Sequence, residues 1–264
     1  MKRLTAFAVA GMFASSTAGA QQIDLSSARI VDLTHAFNSK TLYWPTSPSD
    51  FKLDQLSRGQ TEGGWFYSAN AFSTPEHGGT HLDAPIHFAE KGQTSDLIPI
   101  DKLIGPAVVI DITAKSSSDP DYRLTRDDVL AFERQHGRIR EGTIVLLRTG
   151  WSCRWPDRKR YLGDDTPGDA TRLHFPSFGE EAAKLLVEER GAEAIGVDVA
   201  SIDYGQSKDF IVHRIAAARN VPGLENLTAL DKLPPTGATL IALPMKIEGG
   251  SGGPVRVIAI LPGT

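Results

Sequence analysis

Between residues 77 and 87 the chain reads His77-Gly-Gly-Thr-His81-Leu-Asp83-Ala-Pro-Ile-His87, which sets three of its seven histidines and one aspartate within eleven residues. His77 and His81 stand four apart, the spacing of one helix face. Yet Gly78 and Gly79 lie between them and Pro85 follows, and both residue types oppose a helix. A tight turn entering an extended segment fits instead. In such a segment His81 and Asp83, two apart, project to one side, and the glycines let His77 join them. Imidazole and carboxylate are the ligand types that a hydrolytic divalent metal takes. Singly, each histidine reads as a hydrogen-bonded core or surface residue. Clustered on a turn they would crowd one another without a cation, so the segment is read as a metal site.

The chain opens Met1-Lys2-Arg3, continues apolar through about Phe13 and reaches Ala18-Gly19-Ala20. A basic start, a short apolar run and an Ala-x-Ala site are the layout of a secretory signal peptide. Residues 1–20 are therefore expected to be a leader and the protein secreted or periplasmic, and residues 21–264, which contain no linker long enough to separate two units, are expected to form a single domain. The apolar run is too short for a permanent membrane span, so no membrane association is expected after cleavage. A net charge of −4 and the absence of a basic stripe, Arg154–Arg160 being the nearest, argue against a nucleic-acid partner. With only Cys153 there is no intrachain disulfide, and Cys153 is read as structural.

Strands are expected over residues 28–37, 65–73, 107–111, 143–148, 194–198, 239–244 and 255–260, with a short element over 97–104 and a turn around Tyr43–Pro48. Thr125-Arg-Asp-Asp128 reads as a capping box opening a helix that ends near Gly137. Ser177 is expected to cap a helix over 180–189, and Ser207 one over 209–219. Residues 116–120 read as a loop. The mixture is α/β or α+β, with strands outnumbering helices. No Gly-x-Gly-x-x-Gly opens a helix after a strand, so no nucleotide cofactor is expected.

The second half offers two further candidates. His213 lies in the third helix beside apolar neighbours, where core packing is the plain reading and ligation the sharper one. Glu225 lies in an otherwise apolar loop, where burial would require a partner or a metal; simple exposure is the alternative.

His77-x3-His81-x-Asp83-x3-His87 resembles the signature of the cyclase-family metal hydrolases, which include bacterial kynurenine formamidases and isatin hydrolases. Trp44-Pro45, Leu147-Arg-Thr-Gly-Trp151, Gly196-Val-Asp198, Ser201-Ile-Asp203, His213 twelve residues before Glu225, and Leu240-Ile-Ala-Leu-Pro244 follow in the order of that family. The resemblance implies an α/β swivelling β/β/α domain, a mixed sheet with few flanking helices, in a homo-oligomer. It also implies one or two divalent ions, Zn or Mn. His77, His81 and Asp83 would hold the first, and His213 the second in binuclear members, with Asp83 and Glu225 bridging. His87 would be the catalytic acid/base and Trp44 a substrate-binding wall. The export leader departs from the usual cytosolic formamidase of tryptophan breakdown.

The chemistry expected of this set is attack of metal-activated water on an amide or lactam carbonyl of a small molecule. His87, whose ordinary pKa is near neutral, would take the proton and return it to the leaving nitrogen. Trp44, with Phe66 or Phe72, would suit a planar aryl group such as an N-formyl or cyclic amide, N-formylkynurenine- or isatin-like; for the two phenylalanines the alternative is core filling. Two rival readings are hydrolysis or cyclisation of a non-aromatic ester or lactone, and an exported metal-binding protein without catalysis. The second has no use for His87, which is extra to a three-residue ligand set.

Overall fold

The computed structural model describes residues 25–261, and the expected leader lies outside the described residues. Along the chain the strands are β1 (Arg29–Asp32), β2 (Lys52–Gln60), β3 (Phe66–Ser73), β4 (His81–Asp83), β5 (Ile104–Asp111), β6 (Arg123–Leu124), β7 (Ile144–Arg148), β8 (Ser177–Phe178), β9 (Ala194–Val197), β10 (Gly223–Glu225), β11 (Ala238–Pro244) and β12 (Gly252–Leu261). The helices are α1 (Thr113–Ser116), α2 (Arg126–His136), α3 (Arg158–Leu162), α4 (Glu180–Lys184, widening into a π turn over Leu185–Glu189) and α5 (Ile211–Ala218). This is the mixed α/β architecture expected.

Burial on both faces explains the central strands. In β7, Ile144 and Leu146 join one apolar cluster with Leu82, Leu224, Leu240 and Val257. Val145 and Leu147 join another with Val129, Leu185, Val212 and Ile215 from the helices. A strand coated on both sides reads as an unbroken apolar run, which is why this one was legible. The sheet order is β1-β12-β11-β5-β7-β9-β10-β4, and β4 pairs again with β12. That second pairing closes seven strands into a barrel, with β1 added outside. One cluster fills the barrel and the other lies between barrel and helices.

Several elements differ from expectation. The first strand stops at Asp32, with only a bridge from Thr34 to Leu227 beyond it. Residues 113–116 form a helical turn where a loop was expected to begin. The element expected over 97–104 is a single 3-10 turn over Ile100–Leu103. Strand β2 was not anticipated because none of its residues is buried, six of nine being exposed, and they carry no alternation. It forms as the hydrogen-bonded partner of β3 in a separate two-stranded ribbon. Ser177 does not cap α4: its hydroxyl donates to the carbonyls of Ser201 and Ile202, and Gly179 holds the cap position. The box on α2 forms as read, Thr125 Oγ1 accepting from Asp128 N and the Asp128 carboxylate from Thr125 N.

A buried ion pair ties α2 to the end of the π turn. Glu133 accepts from Arg190 at 2.7 and 3.0 Å and from Ile139 N at 3.0 Å. The guanidinium holds the Glu133 carboxyl below the usual carboxylate range. A depressed carboxyl contributes stability above its ordinary pKa and loses that contribution as pH falls through its folded value. Glu133→Gln is expected to lower the unfolding free energy by about 2–3 kcal/mol at pH 7, because it removes the hydrogen-bonded counter-charge of the buried Arg190 and leaves only Glu189, 3.8 Å away. In urea denaturation the deficit should shrink on acidification, and equal stability at pH 7 would contradict this.

Candidate metal centre and active site

Register decides which residues meet. Strands β4 and β10 run antiparallel with His81 opposite Glu225 and Asp83 opposite Gly223. Leu82 and Leu224 point into the barrel. Their neighbours His81, Asp83 and Glu225 therefore face the helices, and all three are buried. Glu225 thus lies in a strand, not in the loop read from the sequence, held on one edge by β4 and next to β9 on the other. The turn before β4 is irregular, as expected. Gly79 has φ +58, and a Cβ there would lie 2.5 Å from the Phe37 ring. The turn therefore needs glycine for conformation and for space.

His213 arrives on α5, which begins at Ile211 rather than Asp209. Ser207 is not its cap. The first free N–H groups, of Val212 and His213, donate at 3.1 Å each to the carboxylate of Asp203. A carboxylate outcompetes a hydroxyl at a helix N-terminus because it is an anion facing the positive end of the dipole.

The expected ligands come together. Asp83 Oδ1 lies 2.6 Å from His77 Nδ1 and 3.1 Å from His81 Nε2, and Asp83 Oδ2 lies 3.1 Å from His213 Nε2. Glu225 lies 3.4 Å from His81 Nε2 and 3.2 Å from His213 Nε2. Nitrogen and oxygen atoms of His77, Asp83 and His87 form one group spanning no more than 4.8 Å, and those of His81, Asp83 and Glu225 form another.

His81 Nδ1 faces the Gly79 carbonyl at 3.0 Å, which can only accept. His213 Nδ1 faces the Asp203 carboxylate at 2.7 Å. His77 Nε2 faces Ser251 Oγ at 2.8 Å, and that hydroxyl donates its own proton to Glu76 at 2.5 Å. Each neutral imidazole thus spends its one N–H on an outer acceptor and turns a lone pair inward. Three lone pairs and two carboxylates then face one another, and the one backbone donor among the described residues that reaches them is Ile202 N, 2.8 Å from Glu225 Oε1. Only added protons or a cation can hold such a set together, and nitrogen–oxygen donors of this kind suit a divalent ion.

The charges respond accordingly. Burial opposes ionisation at His81, but Asp83 and Glu225 outweigh it and raise the imidazole to about 9. His213 is raised for the same reason, chiefly by Asp203 and Asp83 against burial. Burial alone would raise Asp83, yet His81 and the hydrogen bonds from His213 and His77 hold it well below the carboxylate range. Glu225 goes the other way, raised by burial and by Asp83 beside it.

His87 stands at the rim. Its ring stacks on His77 at 3.9 Å and part of it opens outward. Packing of its inner side lowers it to about 4, opposed by Asp83 and reinforced by His77 and His213, so it is neutral at pH 7 rather than poised near neutrality. Beside it lies a cavity of about 270 Å³ whose walls include Leu42, Trp44, Phe88, Leu162 and Phe210. Trp44 is where the sequence placed it. Phe66 and Phe72 are not: both are exposed on β3, outside the cavity and outside the core. Phe88 and Phe210 take that part instead, each adjacent to an element carrying a site histidine. Glu76, Asp203 and Ser251, which orient the imidazoles, were also missed; only Asp203 carried a signal, in the family-like Ser201-Ile-Asp203.

A family model described as putative cyclase matches residues 31–204. Isatin hydrolase of Roseibium aggregatum is 37% identical over 207 residues, 75% of this chain and 77% of that protein. Kynurenine formamidase of Salinibacter ruber is 28% identical over 233 residues, 87% of this chain and 96% of that protein. Among solved structures, isatin hydrolase A from Labrenzia aggregata bound to benzyl benzoate has a TM-score of 0.82 at 34% identity, covering 89% of this chain and 94% of that one.

Proposed function

Because this chain belongs to the putative cyclase family, we propose that it is a metal-dependent hydrolase of a C–N amide bond carried by an aromatic ring, as in an aryl formamide or an isatin-like cyclic amide. The observation that carries this reading is the convergence of three imidazole lone pairs and two carboxylates beside an aromatic-walled cavity. The bond class is supported by the names of the relatives, isatin hydrolase and kynurenine formamidase.

His77, His81 and Asp83 would hold one divalent ion, Zn or Mn, and Asp83, His213 and Glu225 would supply the donors for a second. Such an ion supplies Lewis-acid polarisation of a carbonyl and a water acidified towards neutrality. The protein's own residues do the rest. Gly79, Asp203 and the Ser251–Glu76 pair fix the imidazoles, so no ligand must reorient during the reaction. Trp44 and its apolar neighbours bind the aryl group and hold the carbonyl at the centre. His87, neutral beforehand, takes a proton from the attacking water and returns it to the nitrogen as the C–N bond breaks.

We also infer a homo-oligomer. Leu53, Leu56, Trp65, Phe66, Tyr67 and Phe72 are all more than half exposed on the β2–β3 ribbon and its connecting turn. A two-stranded ribbon with so much apolar surface is marginal unless something covers it. Light scattering should give a multiple of the chain mass, and Trp65→Asp with Phe66→Asp should reduce it; a wild-type monomer would contradict this.

Chelator dialysis is expected to abolish turnover of formanilide or isatin, and Zn or Mn to restore it. Full activity without metal would contradict the proposal. His87→Ala should retain bound metal and lose about 10²–10⁴-fold in kcat. Unimpaired turnover would remove the proton-carrying role.

A further inference from the structure

Phe210 has a backbone that a phenylalanine rarely adopts. Its φ of 49° and ψ of 46° are left-handed, a region that crowds the Cβ of any bulky residue. Such strain persists only where the surroundings over-determine it, and here one carboxylate does so. Asp203 accepts from Ser207 Oγ at 3.1 Å on one side of Phe210, and from Val212 N, His213 N and His213 Nδ1 on the other. Ser207 Oγ in turn accepts from Phe210 N at 3.2 Å. The same group that orients His213 therefore folds the preceding residue back over the cavity.

What the strained backbone presents is the middle of an aromatic wall. The Phe210 ring lies 5.3 Å from Phe88 and 6.2 Å from Trp44, and 6.0 Å from His213 at the centre itself. With Phe210 removed, Trp44 and Phe88 would be separate patches. A helix capped by an ordinary residue would have served His213 equally well, so neither the helix nor the ligand explains a phenylalanine here.

Resting on the aryl-amide reading above, we propose that Phe210 is a specificity-determining residue. Held in left-handed conformation by the Asp203 clamp, its ring forms the surface against which the aryl group of the substrate packs. It touches no reacting atom, so its removal weakens binding more than chemistry. The aromatic contact with the substrate is lost together with the ring's packing on Trp44, Phe88 and His213, and a small alkyl formamide makes little use of the aromatic surface.

The test compares wild type with Phe210→Leu, Phe210→Ala and Phe210→Gly, each loaded with metal. KM for formanilide should rise about tenfold or more in Ala and Gly and less in Leu, with kcat changed less than KM, and the ratio of kcat/KM for formanilide to that for N-methylformamide should fall about tenfold. Glycine takes the left-handed backbone without strain, so the Gly variant should melt no lower than the Ala variant and keeps the test available if Ala folds poorly. Calorimetric binding of 2-aminobenzoate, which is not hydrolysed, should weaken by the same tenfold. An unchanged aryl-to-alkyl ratio with unchanged 2-aminobenzoate affinity overturns the assignment, as does a wild type that binds no aryl ligand. A wild type that binds 2-aminobenzoate through Phe210 but cleaves no aryl amide refutes the proposed reaction and leaves this assignment standing.

Discussion

The carboxylate of Asp83 lies within 2.6–3.1 Å of three imidazoles that come from a turn, a strand and a helix. That position exists only because β4, three residues long, is stitched on both edges, to β10 and to β12. Opposite Asp83 on β12 stands Gly252, where a Cβ would lie 2.5 Å from the Leu82 carbonyl and 2.7 Å from the His77 ring. Closing the barrel and bringing His77 to Asp83 are therefore one structural event. A side chain at Gly252 would disturb both.

Two buried carboxylates facing each other would be costly if left unpaired, since each ion loses several kcal/mol of hydration. The protein does not avoid that cost by placing donors between them. It fixes the outer nitrogen of every imidazole instead, through Gly79, Asp203 and Ser251, and leaves the inner faces electron-rich. An arrangement that favoured stability alone would have supplied inner donors. The centre is built on a Gly-rich turn, two short strands and a helix start packed against the two cores, and the more exposed His87 is left at the rim.

How much of this was legible in the sequence depended on how local each cause is. The cluster from His77 to His87 was readable because its chemistry and its helix-breaking glycines fall within eleven residues. Strands β7 and β9 were readable as unbroken apolar runs, buried on both faces, and helix α2 from its capping box. Strand β2 left none, since hydrogen bonding to β3 holds it and almost nothing is buried. Glu225 was seen as a candidate, but its strand is too short to show a pattern. Ser251 reaches His77 across 174 residues, and no spacing rule records such an approach. Phe210 was hidden for another reason: its left-handed backbone follows from the Asp203 clamp, a tertiary constraint on a residue type that does not favour it.

In the proposed cation site of inward lone pairs and two carboxylates, Asp83 is the organising residue. Calorimetric titration of the metal-free protein with Zn, set beside Asp83→Asn, tests it most directly, because the substitution keeps shape and replaces one carboxylate oxygen by a donor. Wild type should bind stoichiometrically and Asp83→Asn about 100-fold more weakly, with the same circular dichroism spectrum. Equal affinity in the two proteins, or no binding by wild type, would contradict it.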